Sequence, residues 1–130
     1  MGGPVRDRLL MIRGMSPTLR PGRWAFVASE DPALVAVALG SFREAEGPSL
    51  TVPAEAAEAA GLPVEVVLRQ VTLGVLSSLE GVGLTAAVAS ALADRGIACN
   101  MVAALRHDHA FVPEERAEEA VEVLRALAAG

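Results

Sequence analysis

The chain contains no lysine and no tyrosine, and its 130 residues include only one tryptophan and three phenylalanines. All 11 basic residues are arginines, scattered along the sequence, and the formal net charge is -5. Binding to a nucleic-acid backbone needs clustered cationic side chains, and stacking on bases needs aromatic ones. The composition therefore predicts that nucleic acid is not a partner.

Cysteine is equally scarce, since Cys99 is the only one and no disulfide can form within the chain. The N-terminus lacks the apolar core and the small-residue cleavage site of a secretory signal. No apolar run approaches the ~20 residues that a membrane-spanning helix requires. We therefore expect a cytoplasmic protein without membrane association. Hydrophobic residues make up 52% of the chain, which predicts a packed core.

Apolar periodicity and turn residues predict an α+β fold. The first half shows a short helix, three strands and a proline-initiated helix, at residues 4–15, 24–28, 36–42, 50–52 and 53–60. No helix is evident between its first two strands. The second half shows a strand, a helix, two strands and a last helix, at residues 66–76, 84–95, 97–106, 110–112 and from 113 onward.

An internal repeat supports this organisation. A shift of 60 residues places segment 52–60 on segment 112–120 with identity at six of nine positions. We therefore predict two related halves, residues 1–64 and 65–130, the first of them degenerate. The second half has the order of a ferredoxin-like unit without its last strand. A strand of the first half or of another molecule must then pair with the open edge.

Three short motifs carry a resemblance to a known family. The segment 83–102, a helix followed by Gly96-Ile97 and a strand, resembles the regulatory ACT domains of aspartokinases. Short bacterial tandem-ACT proteins are a closer likeness, through a Ser-Ser-Leu-Glu loop at 77–80, Cys-Asn at 99–100 and His-Asp-His at 107–109. The resemblance implies two ACT-like, ferredoxin-like (βαββαβ-derived) halves, with antiparallel sheets covered by helices.

The resemblance also implies a function, because ACT domains bind small molecules, usually amino acids, and regulate an enzyme. No catalytic domain is attached here, so we expect a non-enzymatic sensor, a separate enzyme as regulated partner, and a homodimer paired through sheets or helices. No cofactor is implied. By position in the family, the ligand contacts are Glu80, Gly81, Val82, Gly83 and Leu84, facing Asn100, Met101 and Val102 of a paired domain. Backbone N–H groups at a helix N-terminus suit a carboxylate, and an amide oxygen can accept from an ammonium group.

Other interpretations of the loop stay open. Gly81 and Gly83 also fit a simple tight connection, since short glycine motifs are weak evidence of a site. Asn100 also fits a structural amide at an interface. The alternative function is therefore a protein-interaction module with a degenerate, empty ligand site.

A third hypothesis is a metal protein or small enzyme. His107 and His109, two residues apart with Asp108 between them, would have Cys99 as a further ligand for zinc or copper. Cys99 alternates with apolar core positions, however, which leaves the histidines short of ligands. We predict no metal and a local hairpin that turns at residues 107–108, with a secondary binding role for the three residues.

Two acidic groups invite a catalytic interpretation that the sequence does not support. Glu44 and Glu46 could form an acid–base pair, but no nucleophile or histidine is near them in sequence, so we predict a hairpin turn. Glu118, Glu119 and Glu122 are predicted to form a solvated helix face.

Overall fold

The computed structural model describes residues 3–130. In chain order the elements are α1 (Arg8–Arg13), β1 (Thr18–Leu19), β2 (Trp24–Ala28), α2 (Pro32–Val37), β3 (Gly40–Glu44), β4 (Gly47–Pro53), α3 (Ala54–Ala59), β5 (Leu68–Thr72), α4 (Leu84–Ala93), β6 (Asn100–Ala103), β7 (Asp108–Pro113), a 3-10 turn (Glu114–Arg116) and α5 (Ala117–Ala129). No described helix is long and apolar enough to cross a membrane.

The chain divides into two compact units that differ from the two predicted halves. One unit, called the inserted unit, spans residues 21–68. The other, called the terminal unit, combines the residues up to Arg20 with residues 69–130. The N-terminal segment, which we expected in the half 1–64, therefore packs in the unit built mainly from the half 65–130. The boundaries of the two repeats in sequence stay a prediction.

The inserted unit is an antiparallel sheet with helices on one face. Its strand order is β3-β4-β2, and Trp24 of β2 pairs further with Leu68 at the start of β5. Alternation along β2 and β4 turns one set of side chains toward the helices. Its buried apolar side chains are Ala25, Val27, Leu34, Leu50, Val52 and Ala57.

The predicted strand at 36–42 is wrong in its first part, because residues up to Val37 end helix α2. Asp31 caps that helix, since its carboxylate accepts the Ala33 N–H at 3.0 Å, and Pro32 occupies the first turn. An N-cap followed by proline favours a helix start over an extended run. The inserted unit thus has the first helix that the sequence did not reveal, and its second strand begins at Gly40.

The terminal unit has a four-stranded antiparallel sheet in the order β1-β5-β7-β6. Strand β1 pairs antiparallel with β5, placing Thr18 opposite Thr72 and Leu19 opposite Val71. It lies where the fourth strand of a ferredoxin-like unit belongs, so the first segment of the chain completes the sheet of the second half. The predicted α+β, ferredoxin-like fold class is confirmed.

Three helices, α1, α4 and α5, cover one face of this sheet and form the larger core. Its most completely buried large side chains are Met11, Met15, Val71, Leu73, Val88, Leu92, Val112 and Leu124. The predicted core face of the last helix is confirmed, with Ala117, Ala120, Val121 and Leu124 buried. Leu127 is partly buried against the same cluster.

Arg116 joins the end of α4 to the start of α5. Its guanidinium donates to the carbonyl oxygens of Gly96 at 3.3 Å and Arg95 at 2.9 Å, and to Glu119 Oε1 at 2.9 Å. Arg95 also donates to Glu119 Oε2 at 3.2 Å. Glu119, predicted to lie on a solvated face, is therefore ion-paired to two arginines.

The strands of the terminal unit are shorter than predicted. The strands predicted at 66–76 and 97–106 reduce to β5 and β6. Apolar alternation continues beyond the paired residues, because Leu73 and Ile97 are buried by packing against helices rather than in strands. The hairpin after β6 bends before His107, whose carbonyl accepts the Ala104 N–H at 3.1 Å, rather than at residues 107–108.

A matched pair of leucines tests the core. Leu73→Ala should lower the free energy of unfolding by about 2–5 kcal/mol, because it leaves a cavity beneath the helices. Leu79→Ala, at a side chain 72% exposed, should change it by less than about 0.5 kcal/mol. Urea denaturation of both variants measures the difference. Equal losses would contradict the assigned core.

Candidate functional site

The loop between β5 and α4 is organised by Ser78. Its hydroxyl accepts the Glu80 N–H at 3.0 Å, and its carbonyl accepts the Gly81 N–H at 2.9 Å. These bonds form a tight turn that directs Leu79 and Val82 outward, with 72% and 79% of their surfaces exposed. The loop thus presents apolar side chains and backbone to its surroundings.

Gly83 is the N-cap of α4 and has φ +109°, in the region that favours glycine. Its carbonyl accepts the Ala87 N–H at 3.0 Å, but no side chain of residues 3–130 caps the first-turn amides of the helix. Leu84 follows with only 3% exposure, so its side chain belongs to the core. A ligand at this position could therefore contact only the backbone atoms of Gly83 and Leu84.

The N-terminal segment lies against this loop, which the sequence did not predict. The Val5 N–H donates to the Leu76 carbonyl at 2.7 Å, and the Ser78 N–H donates to the Val5 carbonyl at 2.8 Å. Arg6 lies 3.9 Å from the Glu80 carboxylate, both side chains being largely exposed. Nothing in the sequence pattern of residues 4–15 distinguishes this packing from that of any short amphipathic helix.

The predicted strand residues lie on β6, an edge strand of the terminal unit. Asn100 is exposed, and its amide donates to the Phe111 carbonyl in a long bond of 3.4 Å. Met101 is half-buried against the core, and Val102 is 38% exposed. Within residues 3–130, no hydrogen bond or ion pair joins these residues to the loop 80–84. A shared site formed by the two sets stays a prediction.

The histidine motif forms a separate polar cluster on β5 and β7. His109 Nδ1 lies 3.1 Å from Gln70 Nε2 and 3.0 Å from Thr72 Oγ1. Because the amide nitrogen is a donor, Nδ1 accepts, and the proton of the neutral ring is on Nε2. The alternating polar positions of β5 were the sequence signal for these partners.

Burial shifts the pKa values of this cluster in opposite directions. Burial lowers the pKa of His109, and the positive charges of His107 and Arg20 lower it further, although Asp108 opposes them. Burial raises the pKa of Asp108, while the neighbouring histidines lower it. Both effects favour the neutral forms and fit a structural hydrogen-bond cluster.

Cys99 lies apart from the histidine motif. It packs against the core of the terminal unit, and burial raises the pKa of its thiol above the usual value. A metal ligand or nucleophile needs the thiolate, which this environment disfavours. Among the described residues, no group of three His, Cys, Asp or Glu side chains is placed to hold a metal ion.

Two ACT domain models match the chain, one over residues 7–69 and the other over residues 65–126. A Vibrio cholerae protein of unknown function, described as a possible transport protein, is 38% identical, covers 92% of this chain and 94% of its own, and superimposes with a TM-score of 0.82. No curated protein sequence matches.

Two solved structures of lower identity share the fold. The ligand-free regulatory subunit of aspartate kinase from Thermus thermophilus is 13% identical, covers 85% of this chain and 95% of its own, and has a TM-score of 0.61. A protein from Agrobacterium tumefaciens is 18% identical over 86% of this chain and 87% of its own, with a TM-score of 0.60. The sequence resemblance to the ACT family is confirmed.

Two glycines with positive φ test the contact at the loop. Gly96, at φ +69°, has open space where an added methyl group would lie, whereas at Gly83 that group would meet the Arg8 side chain. Gly96→Ala should cost about 1–2 kcal/mol of backbone strain. Gly83→Ala should lower the free energy of unfolding by more than this. Adding Arg8→Ala should restore part of the loss in Gly83→Ala but none of the loss in Gly96→Ala. Thermal unfolding of the single and double variants checks this, and rescue of both glycine variants alike would contradict it.

The lowered pKa of His109 predicts a pH dependence of stability. The unfolded chain binds more protons than the folded one where this histidine titrates, so stability is present at neutral pH and is lost as pH falls through the folded pKa. His109→Gln should reduce the change of the urea midpoint with pH between about pH 5 and pH 7. His107→Gln, the control, should keep the sign of the slope. The raised pKa of Asp108 changes stability with pH in the opposite direction, and it does so at lower pH. An unchanged slope in His109→Gln would refute the assignment.

Proposed function

Because this chain belongs to the ACT domain family, we propose that it is a sensor that binds an amino acid and regulates a separate cytoplasmic enzyme. The observation that supports this most directly is the start of α4. Its N-cap, Gly83, offers no side-chain acceptor, so the first-turn amides suit an anion as their acceptor. The α-carboxylate of an amino acid has the charge and size for that position.

An α-ammonium group needs acceptors, which Glu80 and Asn100 offer. The Glu80 side chain is 80% exposed and interacts only weakly with Arg6 at 3.9 Å. Asn100 is exposed, with a single long hydrogen bond. Val82 and Val102 add exposed apolar surface for a side chain of the ligand. This set of groups supports a zwitterionic ligand, because acceptors for an ammonium group and backbone donors for a carboxylate are both present.

A homodimer is part of this proposal. Among the described residues of the terminal unit, β6 has a strand neighbour on one side only, β7, so its other edge is open to a second copy. Unpaired edges associate readily unless they are protected. Pairing along β6 would let a second copy contribute the opposite wall of the site. The same open edge of β6 also supports the alternative, a protein-interaction module with an empty site.

A regulatory rather than catalytic role is supported by the polar side chains of the terminal unit. His109 Nδ1 is occupied by Gln70 and Thr72, and the Cys99 thiol is disfavoured as a nucleophile by its raised pKa. The aspartate kinase subunit that shares this fold is itself a regulatory subunit.

Thermal-shift measurements with each of the twenty amino acids test the sensor. We expect one or a few to raise the melting temperature, because a ligand of the folded state stabilises it by mass action. Glu80→Gln and Asn100→Ala should lose that shift while keeping their own melting temperatures near that of the parent. Glu58→Gln, an exposed glutamate of α3, is the matched control and should keep it.

A melting temperature that none of the twenty amino acids raises would contradict the sensor. It would favour the interaction module. Sedimentation of the protein, alone and mixed with enzyme fractions of a cell extract, would then test whether it binds another protein. A shift retained in both Glu80→Gln and Asn100→Ala would place the ligand elsewhere.

A further inference from the structure

Three glycines lie between β5 and α4, and each has N-terminal atoms where its Cβ would be. A Cβ at Gly74 would lie 3.3 Å from the Cβ and carbonyl oxygen of Ser16. At Gly81 it would lie 2.9 Å from Met11 Sδ, and at Gly83 it would lie 2.6 Å from Arg8 Cδ. The contacts below 3.0 Å, at Gly81 and Gly83, force a displacement of one partner, and at Gly74 the neighbour must give by a few tenths of an ångström. The three glycines therefore make room for residues 8–16 along the whole connection.

Backbone pairing continues this contact toward the N-terminus. Val5 and Ser77 form a parallel bridge, in which Val5 donates to Leu76 and accepts from Ser78 at 2.7 and 2.8 Å. Ser77 is left only 9% exposed. The segment from Val5 to Ser16 thus contacts the connection at Gly74, Ser77, Gly81 and Gly83.

The two parts of this segment are held unequally. Met11 and Met15 are buried to 1% and 0% exposure and belong to the core. Residues 3–8 are held instead by two backbone hydrogen bonds to the loop, the partly buried Val5 side chain, the Arg8 stem and an ion pair whose side chains are 68% and 80% exposed. Asp7 also caps α1, accepting the Leu10 N–H at 3.0 Å and the Met11 N–H at 2.9 Å. Exposed ion pairs contribute little, and a helix as short as α1 is not stable by itself. The first part can open while the second stays in place.

We propose that residues 3–8 form a strap that closes the loop 76–83 reversibly, with Met11 and Met15 as its anchor. In the closed state the Arg8 stem covers Gly83 and Arg6 lies beside Glu80. Opening removes both from the loop and exposes Gly83 together with the start of α4. If the loop binds an amino acid, which rests on the proposed function, the ligand competes with the strap, and the closed form is the low-affinity state.

The alkylation rate of a cysteine placed at a buried position of the loop measures the opening directly. In a Cys99→Ala background, Ser77→Cys should react slowly with iodoacetamide, and Leu79→Cys, at an exposed position, should give the rate of an open thiol. Val5→Pro removes the N–H that donates to Leu76. It should raise the rate at position 77 about tenfold, the effect of losing one hydrogen bond that holds the strap. Leu9→Ala, at an exposed side chain of α1, is the control and should leave the rate unchanged.

Two results would overturn the strap. One is a Ser77→Cys thiol that reacts as fast as Leu79→Cys with the strap intact. The other is an equal rate in Val5→Pro and Leu9→Ala. Amide exchange at Ser78 in chains that retain Ser77 provides a second readout, since this N–H donates to Val5 and should exchange faster in Val5→Pro.

Amino-acid thermal shifts on Val5→Pro separate the strap from the proposed function. A larger shift than in the parent chain supports competition between ligand and strap, and an equal shift overturns it. Faster alkylation without a shift from any amino acid supports the strap and contradicts the amino-acid site.

Discussion

The pairing of β1 with β5 is the constraint on which the terminal unit depends. The second half of the chain contains three strands and two helices, and it lacks the strand that would cover the outer edge of β5 in this unit. Thr18 and Leu19 occupy that edge, opposite Thr72 and Val71. Bringing β1 there also brings α1 over the connection to α4, because only a few residues separate the two elements. The pairing of β1 with β5 and the covering of the loop thus have one origin.

Hydrophobic periodicity predicted correctly those helices and strands whose pattern fits only one type of structure. Strand β2 and the buried face of α5 agree with the sequence, since alternation and helical spacing are unambiguous there. The run before Gly40 fits a strand or a helix equally well, and the decision came from Asp31 capping the Ala33 N–H. A local hydrogen bond of this kind changes the structure of an element without changing its hydropathy pattern.

The candidate site was predictable in part. The family resemblance selected the loop 80–84 and Asn100, and the structure places both on the terminal unit, one at the start of α4 and one on the edge strand. The covering of the loop was not predictable, because Arg8 and Met11 approach the glycines through tertiary packing between distant segments. Likewise, the sequence predicted no metal and a local hairpin around His109, and only the positions of Gln70 and Thr72 show a hydrogen-bond cluster between β5 and β7.

We propose that the loop before α4 binds an amino acid after the strap opens. Nitrogen-15 spectra of the labelled protein, recorded during titration with each amino acid, follow both events at once. We expect one ligand to move the amide signals of Gly81, Gly83 and Asn100 together, and the Val5 signal to shift toward a disordered position. Signals that move only elsewhere, or a Val5 signal unchanged at saturation, would show that the ligand does not bind there or that the strap does not open.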